Sequence, residues 1–132
     1  LTKLVLLHKR VIRLLSGVCK DAHTSPLFKK FNLMKLADIY KLKIAIYVYK
    51  NCIGVLPNLD WLQLKTGAEI HHYNTRNCKN FRVSCKIRTD YFKGTFRYTG
   101  PNIWGSLSTE IKNATSLPSF KKCVKSYYIE SY

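Results

Sequence analysis

Acidic side chains are scarce in this sequence. Asp and Glu number 7 among 132 residues, against 23 Lys and Arg, which gives a formal net charge of +16. Polymerase and nuclease chemistry needs clustered carboxylates that hold two metal ions about 3.5–4 Å apart. None of the seven acids lies within three residues of another. We therefore expect no catalytic residues in this chain, and an independent metal-dependent enzyme is the alternative that this scarcity argues against.

Long apolar runs are missing as well. No stretch approaches the roughly 18 residues of a membrane-spanning helix. The apolar N-terminal segment is interrupted by basic residues from Lys3 to Arg13, so it does not resemble a secretory signal. The five cysteines are odd in number and scattered, which favours free thiols in a reducing compartment. These features predict an intracellular protein, in the nucleus or cytoplasm, with no membrane partner.

Closely spaced metal-ligand pairs are also lacking. His71, His72, Cys78 and Cys85 place four soft ligands within 15 residues, but no Cys-x-x-Cys pair is present. Cys85 also falls on the inward face of a predicted strand, where a free cysteine packs as a small hydrophobe. We therefore predict no metal and no cofactor, and zinc bound by these four residues is left as an open alternative.

Helical apolar spacing is what the sequence has in quantity. Residues 3–19 carry an apolar stripe at three- and four-residue intervals, and residues 35–52 are apolar nearly all round, which is typical of a central helix. Gly54 and Pro57 end the second of these helices. The stripe of the first helix consists of Leu4, Leu7, Val11, Leu14 and Val18. Further helices are predicted over 26–31, 102–107, 109–113 and 117–131.

Strict alternation replaces this spacing over residues 82–88, where Val83, Cys85 and Ile87 would face inward. A second strand is predicted at 94–98, which makes 82–98 a β-hairpin. The predicted fold class is α+β, mostly helical with one small antiparallel β-hairpin, in a single module over residues 1–132. Its parts are a helical segment at 1–56, an irregular connection at 57–81, the hairpin, and C-terminal helices at 99–132.

The excess of positive charge favours a polyanionic partner, and nucleic acid is the partner we expect. Aromatic residues interleave with basic ones between Arg88 and Tyr98, a composition suited to stacking on bases and holding phosphates. The alternative is that Phe96 and Tyr98 belong to the core while Tyr91 and Phe92 fill a turn. The predicted phosphate contacts are Arg76, Arg82, Lys86, Arg88, Lys93 and Arg97, and the predicted stacking residue is Tyr73.

Short motifs in a fixed order resemble the region that follows the reverse transcriptase domain in LINE-type, jockey-like non-LTR retrotransposons. The resemblance covers nearly the whole chain. Its motifs are His72-Tyr73-Asn74-Thr75-Arg76, Arg88-Thr89, the segment from Tyr98 to Trp104, and Leu117-Pro118-Ser119-Phe120-Lys121-Lys122. The chain departs from the family pattern after Trp104, where Gly105 and Ser108 stand in place of Asn and then Leu-Pro.

The resemblance implies a parent RNA-directed DNA polymerase, often carrying an endonuclease, whose catalytic carboxylates would lie upstream of Leu1. We therefore expect a non-catalytic fragment whose partners are RNA or DNA and the upstream polymerase domain, with no small-molecule substrate. Two roles fit this expectation. One is a module that holds template RNA or target DNA, mainly through phosphates. The other is a structural brace that packs on the polymerase thumb through Leu4, Leu7 and Val11, its basic surface being incidental.

Overall fold

The structure, a computed structural model, describes residues 2–56, 64–70, 81–83 and 88–132. Helices take up 68% of these residues, beside one antiparallel sheet of two short strands, so the predicted α+β class is confirmed. The helices are α1 Thr2–Ser16, α2 Ser25–Lys30, α3 Leu36–Cys52, α4 Gly67–Ile70, α5 Asp90–Lys93, α6 Phe96–Ser106, α7 Thr109–Lys112 and α8 Leu117–Glu130. The strands are β1 Lys65–Thr66 and β2 Phe81–Arg82.

The ends of the long helices follow local sequence signals. Gly17 after α1 and Gly54 after α3 have φ angles of 66° and 69°, a left-handed conformation that costs glycine little. The N–H of Val55 then bonds to the carbonyl of Lys50, which closes the last turn of α3. At the start of α8, the Ser116 hydroxyl accepts a hydrogen bond from the N–H of Ser119, which caps the helix.

The predicted hairpin over 82–98 is wrong. β2 pairs instead with β1, with Lys65 opposite Arg82 and Thr66 opposite Phe81, and residues 90–93 and 96–106 are helical. Phe96, Gly100 and Trp104 are four residues apart, so one face of a helix can bury all three, whereas the Phe96–Tyr98 alternation covers too few residues to outweigh that face. Residues 84–87, the remainder of the first predicted strand, lie outside the described residues.

The predicted irregular connection at 57–81 also needs correction, because it contains β1 and α4. The N–H of Thr66 bonds to a carboxylate oxygen of Glu69 at 2.9 Å, which ties the strand to the helical turn that follows. Leu64 is buried just before the strand. Residues 57–63 and 71–80 of this connection lie outside the described residues.

The chain divides into two compact units, which we call the first unit (residues 1–42 and 121–132) and the second unit (residues 43–120). The buried apolar residues of the first unit are Ile12, Phe28, Met34, Val124, Tyr128 and Ile129. Those of the second unit are Ile44, Ala45, Val48, Tyr49, Leu64, Trp104, Leu107, Ile111 and Phe120. Each unit therefore has its own set of buried apolar side chains.

A polar network around Asp38 closes the first unit. Asp38 is 8% exposed, and its two carboxylate oxygens accept hydrogen bonds from the Tyr132 hydroxyl at 2.9 Å and from Lys41 Nζ at 2.9 Å. The Tyr132 hydroxyl in turn accepts from the N–H of Lys35 at 2.8 Å, and Lys35 Nζ lies 4.0 Å from the Tyr132 ring centroid. Because the Asp38 charge is buried, removal of either donor would leave it poorly compensated and would destabilise the fold.

Aromatic stacking organises the second unit. The rings of Tyr49 and Phe120 stack with centroids 4.3 Å apart, and Trp104 lies 5.9 Å from Phe120. The Tyr49 hydroxyl donates to the carbonyl of Ala114 at 2.7 Å, so its polar end is satisfied as well. Phe81 on β2 reaches the same cluster, 6.3 Å from Trp104. This cluster joins α3, β2, α6 and the beginning of α8.

Two tyrosines of the first unit should respond oppositely to loss of their hydroxyl. Tyr132→Phe removes a donor to buried Asp38 and an acceptor for Lys35, so we expect a loss of about 1–3 kcal/mol in the free energy of unfolding. Tyr128→Phe removes a buried hydroxyl that has no hydrogen-bond partner among the described residues, so we expect no loss or a small gain. Urea unfolding at pH 7 measures both, and equal losses would contradict the Asp38 network.

Stability should fall at high pH. Burial, together with the charge of Asp38, raises the pKa of Tyr128 and the pKa of Tyr132 to about 12. In an unfolded chain the pKa of tyrosine is about 10, so the unfolded state loses these protons first. The contribution of the two hydroxyl groups to the free energy of unfolding is therefore constant below about pH 10, and it is lost as the pH rises toward 12.

Urea unfolding between pH 8 and 12 tests this expectation. Lysines titrate over the same range, so the informative quantity is the difference between the wild-type chain and Tyr128→Phe. The variant should lose less stability on going from pH 9 to pH 12, and identical pH profiles would rule the tyrosine out as a cause.

Candidate nucleic-acid interface

Positive charge is spread over both units. The first unit contains 12 Lys and Arg against 3 Asp and Glu, and the second contains 11 against 4. All of the candidate contacts predicted from the sequence fall in the second unit. The first unit carries at least as many cations, so positively charged surface also exists outside the set of predicted contacts.

Four predicted contact residues lie among the described residues, and all four are exposed. Arg82 is on β2, Arg88 precedes the cap of α5, Lys93 ends α5, and Arg97 is in the first turn of α6. The segment from Arg88 to Arg97 thus carries three exposed cations, one just before α5, one at its end and one in the first turn of α6. The other predicted contacts, Tyr73, Arg76 and Lys86, lie outside the described residues.

Local hydrogen bonds hold the α5 segment in place. The Thr89 hydroxyl accepts from the N–H of Phe92 at 3.4 Å, and Lys93 Nζ pairs with an Asp90 carboxylate oxygen at 2.6 Å. The side chain of Asp90 is 92% exposed, and an ion pair in such a position contributes at most about 1 kcal/mol. Lys93 can therefore exchange Asp90 for a phosphate at little cost.

Tyr91 is a further candidate contact, which the sequence left between base stacking and the filling of a turn. It is 88% exposed, although it sits in a capped helix between Arg88 and Lys93. An exposed ring among cations can stack on an unpaired base while its neighbours hold the phosphates. The signal in the sequence was the Tyr-Phe pair between two cations, but the sequence does not say which of the two rings faces solvent. Phe92, by contrast, is half-buried.

The other aromatics of this stretch serve packing, as the alternative interpretation held. The Phe96 ring lies 5.1 Å from the Tyr47 ring in an edge-on arrangement, and Tyr98 is half-buried. Because Phe96 anchors the first turn of α6 against α3, the neighbouring Arg97 extends from a packed helix rather than from a loop. The position of this cation is therefore well defined.

Residues of the resemblance motifs also build the core of the second unit. Gly100 is buried, and a Cβ there would lie 3.4 Å from the Phe96 ring and 3.5 Å from Val48. Trp104 is 8% exposed and Phe120 is fully buried. These three positions are thus explained by close packing, and no ligand is needed to account for them.

Basic residues on α8 are a second group of candidates. Lys121 and Lys122 are exposed and Lys125 is half-exposed, whereas Val124 is fully buried. In the sequence, the spacing of these lysines relative to Phe120 and Val124 predicts one buried and one basic side for this helix, and the observed burial agrees with it. These lysines are in the first unit, whereas the cations of α5 and α6 are in the second.

Grouped metal ligands and membrane-spanning helices are both absent from the described part of the chain. Within residues 2–56, 64–70, 81–83 and 88–132, no three His, Cys, Asp or Glu side chains are grouped to hold a metal ion. The alternative zinc ligands His71, His72, Cys78 and Cys85 lie outside these ranges. Cys19, Cys52 and Cys123 are free thiols, and burial raises the pKa of Cys52. No helix in the described ranges is long and apolar enough to cross a membrane.

Comparison with protein-family models, with curated proteins and with solved structures found no match to this chain. The resemblance to the retrotransposon region therefore stays a prediction.

Two aromatic substitutions should differ in their effect on stability, because Trp104 is buried in the core and Tyr91 is exposed. Trp104→Ala empties part of the stacked cluster and should lower the free energy of unfolding by about 3–5 kcal/mol. Tyr91→Ala removes an exposed ring and should change it by no more than about 0.5 kcal/mol. Urea unfolding followed by circular dichroism measures both. A large loss for Tyr91→Ala would show that this ring is structural and would remove it from the interface.

Proposed function

We propose that this chain is a nucleic-acid-binding accessory module of a retrotransposon RNA-directed DNA polymerase, which holds template RNA or target DNA mainly through phosphates. The observation that supports it best is the segment from Arg88 to Arg97, where three exposed cations accompany the 88%-exposed ring of Tyr91. The association with a polymerase rests on the sequence resemblance. No catalytic step is assigned to this chain, because the proposal places the polymerase carboxylates upstream of it.

Electrostatics accounts for the expected mode of binding. Neutralising phosphates with Lys and Arg releases condensed counterions, so affinity is strongly salt-dependent and nearly independent of sequence. The net charge of +16 supplies long-range attraction for any polyanion. The exposed cations of α5 and α6 supply short-range contacts, and Tyr91 adds a stacking surface that only unpaired bases can use.

A structural brace is the second candidate, and one observation favours it. The side chains of Leu4, Leu7 and Val11 on α1 are 50–58% exposed, so these leucines and this valine are not used by the core of the first unit. Such a surface on α1 would be covered if the chain packs on a larger body. The two roles are compatible, since they use different residues.

The direct test is binding of the purified chain to a labelled RNA hairpin, a DNA duplex and a single-stranded oligonucleotide over a salt series. With four to six phosphate contacts, log K against log salt should have a slope of about −4 to −5 on the duplex and a shallower slope on the single strand. Absence of binding by well-folded protein at moderate salt would overturn the proposal.

Substitutions then locate the surface. Arg88→Gln and Lys93→Gln should each make the duplex slope shallower by about 0.9, because one phosphate contact is lost. Lys43→Gln, an equal change of charge at an exposed residue of α3 in the same unit, is the matched control and should have a smaller effect. Tyr91→Ala should weaken single-strand binding about 5- to 100-fold with little effect on duplex binding. Tyr91→Phe keeps an aromatic ring and should bind the single strand like the wild-type chain.

A further inference from the structure

Helix α1 leaves its main apolar side uncovered. Of its residues, Ile12 is buried at 1% exposure, and His8 contributes an edge-on ring contact to Phe28 with centroids 4.8 Å apart. The side of α1 that faces the rest of the first unit is thus the narrow one around His8 and Ile12. The wide apolar stripe predicted from the sequence points elsewhere. Its members are Leu4 (58% exposed), Leu7 (56%), Val11 (50%), Leu14 (81%) and Val18 (39%).

A groove runs beside this stripe. It has a volume of about 610 Å³ and combines apolar with cationic lining. The lining residues are Leu6, Leu14, Val18, Arg10, Arg13 and Lys20. A smaller recess of about 240 Å³ continues toward the start of α1, between Lys3 and Leu7.

The far wall of the groove is held in place by the turn after α1. Gly17 reverses the chain in a left-handed conformation, and the N–H of Val18 bonds to the carbonyl of Arg13 at 3.3 Å. Arg13 Nε also donates to the carbonyl of Ala22 at 2.9 Å, which fixes the segment carrying Lys20 against the helix. The concave shape is therefore built by hydrogen bonds within the first unit.

Charge restricts what can occupy the groove. Residues 2–16 contain Lys3, Lys9, Arg10 and Arg13 and no acid. A second copy of the chain would bring cations against cations, which is unfavourable. Nucleic acid would satisfy the cations but would leave the leucine and valine side chains of the groove and its recess in water. A lipid bilayer presents a flat surface, whereas this groove is concave. The occupant that satisfies both the apolar floor and the cationic rim is an apolar protein surface bordered by carboxylates.

We propose that α1 and the segment after it dock an amphipathic α-helix of a partner protein, one that carries Asp or Glu beside its apolar stripe. Apolar side chains of that helix, at intervals of three and four residues, would pack on Leu6, Leu7 and Leu14, which line the groove and its smaller recess. Its carboxylates would pair with Arg10 and Lys20 at the rim. Helix α1 is about 22 Å long, which matches about four turns of a partner helix. This surface shares no residue with the proposed nucleic-acid interface and goes beyond that function. It overlaps the apolar residues of α1 that the brace would use, and it assigns them a partner helix in place of the polymerase.

The probe is a labelled synthetic 18-residue peptide with Leu at positions i, i+3, i+4 and i+7 and Glu on both borders of the stripe, measured by fluorescence anisotropy. Two control peptides separate the contributions. One has Lys in place of Glu, and the other has the same composition in shuffled order, which destroys the stripe. We expect the Glu peptide to bind at least about tenfold more tightly than either control.

Variants of the chain test the surface itself. The double variant Leu7→Gln and Leu14→Gln changes exposed residues, so it should fold normally and lose at least about tenfold in affinity for the Glu peptide. Ile53→Gln and Val55→Gln, which alter exposed apolar residues of the second unit, form the matched control and should bind as wild type. Arg10→Gln should weaken binding and reduce its dependence on salt.

Two results would overturn the docking proposal. Equal affinity for the Glu and shuffled peptides would show attraction by charge alone and overturn the proposal. Binding to phosphatidylserine vesicles that the Leu7 and Leu14 changes abolish, without binding of the Glu peptide, would replace the partner helix by a membrane surface. The double variant should keep its affinity for RNA and DNA, so failure of the docking proposal would leave the proposed function unaffected.

Discussion

This structure depends on the burial of aromatic and aliphatic side chains, because that burial must outweigh the mutual repulsion of the excess positive charges. With 23 cations and 7 acids, ion pairing can neutralise only a minority of the charge. Asp38 and Asp90 are seen paired, one in a buried network and one at the surface. Cohesion therefore comes from stacked rings such as Tyr49, Trp104 and Phe120 in the second unit and from the contacts around Phe28 in the first. Most of the cations in the described ranges are exposed, so solvent screens them.

This arrangement leaves two kinds of surface for interaction, and they differ in chemistry. The segment from Arg88 to Arg97 presents cations and one exposed ring on and beside α5 and the first turn of α6, which suits phosphates and unpaired bases. The groove along α1 combines cations with exposed leucine and valine side chains, which suits an acidic amphipathic helix. Taken together, the two proposals describe a chain that joins a nucleic acid to a protein.

The helices were predictable to within a few residues where apolar spacing and end signals agree, as in α3 and α8. The hairpin was not, because four alternating residues around Phe96 look the same for a strand edge and for the first turn of a helix. The burial of Gly100 and Trp104, four and eight residues further on, decides between them. The exposure of Tyr91 was likewise hidden, since a Tyr-Phe pair does not indicate which ring will pack.

The sequence by itself determined the charge, the mostly helical class, the ends of α3 and α8, and the basic side of α8, because these follow from composition and local backbone preferences. Tertiary structure decided which apolar surface is used. The best amphipathic stripe of the sequence, on α1, stays exposed while Ile12 on a narrower side is buried. The reason is physical: a stripe specifies that a helix has an apolar side, but the shape and polarity of its neighbours determine whether that side is covered.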